Sequence, residues 1–181
     1  MMTDQEMLEL AKSEGFSAAF IAPDQIPVNK KFRAYCEENR CGKYNANYSC
    51  PPDCGTVEEM HRQILSESRA IIFTSQWKID GYQDKAGVQR AKAGHNAGIL
   101  RLMEAFRKAG YQGFAAGYNG CPLCSTCKRI ENKPCPFPEQ RISCMSAYCI
   151  DVSELSKRCG LEFSWSDNRL YLFGMIAFHE A

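Results

Sequence analysis

Cysteines 121, 124 and 127 are each separated by two residues, and a fourth stands at 135, directly before Pro136. Three cysteines at this spacing let one curled loop offer three thiolates to a cubane cluster, and a fourth from further along closes it. The run is the bacterial ferredoxin pattern, with seven residues instead of three before the last cysteine. Zinc is the alternative, because four cysteines also make a closed tetrahedral site, although zinc ligands usually arrive as two separated C-x2-C hooks. The spacing predicts a 4Fe-4S cluster on Cys121, Cys124, Cys127 and Cys135.

A second set lies upstream: Cys36, Cys41, Cys50 and Cys54, with intervals of four, eight and three residues. These intervals match no common zinc knuckle, and Cys-Pro recurs at Cys50-Pro51. A radical S-adenosylmethionine motif, C-x3-C-x2-C, would need a cysteine where Val57 stands. A second four-cysteine site, again a 4Fe-4S cluster or zinc, is expected. Cys144 and Cys149 follow Cys135 in the same irregular stretch, so either is an alternative to Cys54 as fourth ligand. Ligands could also be exchanged between the two stretches, as in two-cluster ferredoxins. Cys159, just before Gly160, reads as a small buried apolar group.

Arg33-x2-Cys36-x4-Cys41-Gly-x-Tyr44, Cys50-Pro-Pro, the 121–127 triplet, Pro134-Cys135 and Ile150-Asp151-Val152 together carry a resemblance. In combination they resemble a family of predicted metal-binding proteins, domain of unknown function 2284, over nearly the whole chain. The resemblance implies iron-sulfur or other metal binding and supplies no known reaction.

Eleven cysteines in 181 residues exceed what packing alone needs, and their odd number and clustering favour metal or redox chemistry over disulfides. The net charge is +1, from 22 basic and 21 acidic residues, so no general field attracts nucleic acid or an anionic membrane. The first residues have no apolar signal core, and the longest nearly apolar run, 171–178, is far short of the ~20 residues of a membrane span. A cytoplasmic protein is the expectation. Asn47-Tyr48-Ser49 matches a glycosylation sequon, which means nothing without a secretory signal. No G-x-G-x-x-G, P-loop or H-E-x-x-H is present, which leaves nucleotide binding and zinc-protease chemistry unsupported.

The elements that must position these thiols alternate. Thr3 with Glu6, Thr56 with Glu59 and Asp151 with Glu154 read as capping boxes that open helices. Met7, Leu8, Leu10 and Ala11 form the apolar face of the first, and Val57, Met60, Ile64 and Leu65 that of the second. A longer helix carries Val88, Ala91, His95, Ile99, Leu102, Phe106 and Ala109 on one stripe, with Gly110 as its stop. Residues 17–22, 69–77, 112–118, 161–165 and 170–178 read as strands, the last two joined by a turn at Ser166-Asp167-Asn168. This order predicts one α/β layered domain over residues 1–181 with a mainly parallel sheet and a C-terminal antiparallel hairpin. Residues 29–55 and 120–150 stand apart as two long loops, and they hold ten of the eleven cysteines.

The leading expectation is a protein with two 4Fe-4S clusters that exchanges electrons with a redox partner protein. The alternatives are a redox enzyme whose cluster keeps an open iron for substrate, and a zinc-stabilised binding module. Lys30, Lys31, Arg33, Arg40 and Lys43 on one loop, and Lys128, Arg129 and Lys133 on the other, could offset a cluster charge of about −2. His95 reads as a core histidine, and His61 and His179 as surface residues. Tyr44, Tyr48 and Tyr118 could line a pocket beside the cysteines.

Overall fold

A computed structural model describes residues 1–164 and 166–181. In chain order the elements are α1 (Asp4–Ser13), β1 (Ser17–Ile21), α2 (Arg33–Glu37), α3 (Val57–Leu65), β2 (Arg69–Lys78), α4 (Lys85–Lys108), β3 (Tyr111–Gly117), β4 (Ser143–Cys144), α5 (Val152–Cys159) and β5 (Arg169–Glu180). Two of the three expected capping boxes are complete. Glu6 N–H donates to Thr3 Oγ1 while Thr3 N–H donates to the Glu6 carboxylate at 2.7 Å, and Thr56 with Glu59 repeats the exchange before α3. At α5 only half is made, because Asp151 accepts from Glu154 N–H but the Glu154 carboxylate turns to Arg158. Leu65, expected on the apolar face of α3, is exposed at the helix end.

The strands sort their side chains with a period of two, as a sheet covered on both faces requires. Ala70 and Ile72 of β2, with Phe173, Met175 and Ala177 of β5, face one layer formed by α3, α5 and residues 144–150. Ile71 and Phe73 of β2, with Ile176 and Phe178 of β5, face the other, formed by α1 and α4. From α4 the layer receives Ile99, Leu102 and Phe106, and Ala91 and His95 of the same stripe are buried as well. Gly94 and Gly98 bring α4 close to the sheet side: a Cβ at either would stand 2.4 Å from the Trp77 ring or 2.6 Å from that of Phe16.

The sheet runs β1-β2-β5-β3-β4, and it is mostly antiparallel. β2 and β3 both pair antiparallel with β5, and β1 pairs antiparallel with β2, whereas β3 and the two-residue β4 run parallel. The expected mainly parallel sheet is therefore incorrect, for an identifiable reason. β2, α4 and β3 do form a crossover whose two strands run the same way, but β5 is inserted between them. Residues 171–178 are buried throughout, so this strand needs partners on both edges and takes the centre of the sheet. Among the described residues the expected C-terminal hairpin is absent as well: residues 161–164 are irregular, and one isolated bridge joins Ser166 to Arg169. Trp165, part of that expected strand, lies outside the described residues. No helix among the described residues is long and apolar enough to cross a membrane.

Candidate metal centre

The second cysteine loop leaves the sheet at the end of β3. Asn96 of α4 holds the exit, accepting from Tyr118 N–H at 2.8 Å and donating to Tyr118 C=O at 2.7 Å. Asn119 and Gly120 then adopt positive φ, which turns the chain outward. Cys121, Cys124 and Cys127 follow in irregular structure, and a 3-10 turn over Lys128–Glu131 with left-handed Asn132 doubles the chain back toward Cys135. All four thiols line one cavity, with Asn47, Tyr48 and Ser49 of the first loop among its other walls. Desolvation, and then the neighbouring Cys121, Cys135 and Cys127, push the Cys124 thiol up from its ordinary pKa. Thiols that hinder one another's ionisation are a donor set that a cation relieves, since binding displaces their protons.

The first loop is anchored to the far end of the second. Asn29 N–H donates to Cys149 C=O at 2.8 Å, Val28 bridges Ile150, and Asp151 N–H donates to Pro27 C=O. α2 then presents Arg33 and Cys36 one turn apart on one side of a short helix. Asn39, Gly42 and Asn45 take positive φ and fold the chain through Cys41 toward Cys50. Burial pushes the Cys36 thiol up to about 12, helped by Cys144, and Cys50 is raised by burial and then by Cys144 and Cys41. Cys54 is differently placed. Its sulfur lies 3.4 Å from Met60 Sδ and 4.0 Å from Arg33 Nη1, and burial raises its thiol while Arg33 opposes the rise.

The two loops form one body. Arg129 donates to Asp53 at 2.7 Å, to Asn45 at 2.7 Å and to Asn132 at 3.0 Å. Tyr48 Oη donates to Lys133 C=O, Asn47 donates to Cys121 C=O, and Ser143 Oγ donates to Ser49 C=O at 2.6 Å. The sequence carries no local sign of these links, most of which join residues far apart along the chain, and Arg129, expected as a cation beside a cluster, instead ties the loops together. Most of the flanking cations are occupied by carboxylates: Lys30 by Glu58, Arg40 by Glu38, Lys128 and Lys133 by Glu131. Arg33 instead donates to the carbonyls of Gly55 and Ala147 beside Cys54. Of the tyrosines, Tyr48 lines the cavity, and the ring of Tyr118 stands 5.0 Å from the Lys92 ammonium.

All eleven cysteines are free thiols. Among the described residues, no three Cys, His, Asp or Glu side chains converge tightly enough to hold a single metal ion. The donor chemistry fits a thiol-preferring centre nevertheless, because four cysteines line one cavity and no carboxylate or imidazole is among its lining residues. Cys159 packs, half-buried, against the α3 and α5 layer. His95 is fully buried, its Nδ1 2.7 Å from Ser75 Oγ, and Trp77 Nε1 donates to the same hydroxyl.

The fold and the site together define a mixed α/β domain with a five-stranded sheet and a double cysteine loop at one end of β3. The chain belongs to the family of predicted metal-binding proteins (DUF2284), whose family model matches residues 19–178. Comparison with curated proteins and with solved structures finds no match.

Proposed function

We propose that this chain holds two cysteine-ligated 4Fe-4S clusters and serves as a cytoplasmic electron carrier for a redox partner protein. The observation that carries the reading is the gathering of Cys121, Cys124, Cys127 and Cys135 around one cavity, on a triplet spacing that suits a cubane better than a single zinc ion. Cys36, Cys41 and Cys50 supply three thiols of the other site, for which spacing alone names Cys54 as the fourth.

When bound, such clusters supply one-electron exchange. The chain's own residues hold and shield. Tyr48, Leu123 and Phe137 wall the second site with apolar surface, and Asn47 ties Cys121 to the first loop. Cys50 is almost fully buried, which limits water at the first site. Eleven free thiols suit a reducing compartment.

Anaerobically isolated protein should be brown, bleach on addition of dithionite, and give a paramagnetic signal when reduced. A colourless protein carrying stoichiometric zinc, with no signal on reduction, would overturn the reading in favour of a structural metal site.

A further inference from the structure

We propose that Cys144, from the far end of the second loop, completes the first site with Cys36, Cys41 and Cys50, and that Cys54 is not a ligand. This deepens the two-cluster reading above and rests on it.

The backbone brings these residues together. Ser143 Oγ donates to Ser49 C=O at 2.6 Å, so the residues that follow each, Cys144 and Cys50, continue from a fixed contact between the loops. Both are nearly fully buried, at 9% and 5% exposure. β4 holds Cys144 opposite Gly117 in the sheet, three residues before Gly120, and Gly120 backs directly onto Cys50: a Cβ there would stand 3.0 Å from its sulfur. Cys144 is thus held by the sheet edge and by a hydrogen bond at its neighbour, a more rigid mounting than a free loop provides.

The backbone amides of Ala147, Gly120 and Ser146 lie in hydrogen-bonding positions around the buried Cys144 sulfur, the supporting shell expected around a cluster ligand.

Cys54 has contacts of its own. Its sulfur meets Met60 Sδ and the Arg33 guanidinium, and that guanidinium is itself tied to Gly55 C=O at 3.2 Å and Ala147 C=O at 3.0 Å. A thiol so placed steadies Arg33. The first site would then draw ligands from both loops, the crossed arrangement known from two-cluster ferredoxins.

The test uses full-length, anaerobically isolated protein and counts iron per chain in Cys144→Ser and Cys54→Ala. Cys54→Ala should keep its full iron, and Cys144→Ser should lose about half while the signal of the second cluster persists. Loss of half the iron in Cys54→Ala, or full iron in Cys144→Ser, would overturn the assignment. Should the buried Cys144→Ser variant fail to fold, Cys149→Ala is counted beside Cys54→Ala: full iron in both leaves Cys144 as the fourth ligand, and loss of half in either overturns the assignment. Failure of the underlying reading is distinguishable, since a wild-type chain without two clusters shows it before any variant is made.

Discussion

Cys124 is the middle thiol of the triplet, and its three neighbours Cys121, Cys127 and Cys135 all act on it electrostatically. Replacing it by Ala leaves three thiols around that cavity, too few to close a cubane, so Cys124→Ala should bind about half the iron of the wild type. Unchanged iron and an unchanged cluster spectrum would contradict the assignment. The triplet was legible because ligand spacing within one loop is a local property. The relation of Cys54 to Cys144 was not, because it depends on where β4 brings residues ninety positions downstream. His95 also belongs at this scale. Burial lowers its pKa to about 4 from 6.5. Above about pH 6.5 the ring is neutral whether folded or unfolded; below that the unfolded chain takes up the proton first, so stability falls as pH drops from 6.5 toward 4. The loss at the lower end is on the order of 3 kcal/mol. Urea unfolding of wild type and His95→Gln in the same metal state should show the variant losing less stability across that window, and parallel pH profiles would rule the histidine out as the cause.

The helices were the most readable elements, because caps and stripes are local in sequence. Thr3, Thr56 and the Ala91 to Phe106 stripe behave as their spacing dictates. The loops were readable only as irregular and cysteine-rich. Their mutual packing hangs on partners seventy to ninety positions apart, of which Arg129 is the chief: it joins Asn45 and Asp53 to its own turn. The Arg129 and Asp53 side chains are about one-fifth exposed, so their pair is screened less than a surface bridge. Arg129→Ala should cost on the order of 2 kcal/mol, since it removes hydrogen bonds to a charged and to neutral partners. In a chain of this size that lowers the thermal midpoint by roughly 4 to 8 °C. An unchanged midpoint would show that the loops hold each other by other means.

At the scale of the molecule, alternation of helices and strands correctly indicated a layered α/β domain and gave the wrong strand directions. Residues 171–178 carry the reason. A run buried on both faces belongs in the middle of a sheet, and once β5 stands between β2 and β3 it pairs antiparallel with each. That arrangement leaves the end of β3 and the short β4 at one side of the sheet, where the two loops that carry ten of the cysteines are tied together. Quantifying iron, acid-labile sulfide and zinc in anaerobically isolated protein decides whether these thiols hold two clusters. About eight irons and about eight sulfides per chain with no zinc are expected. One or two zinc ions per chain without sulfide would show that they do not.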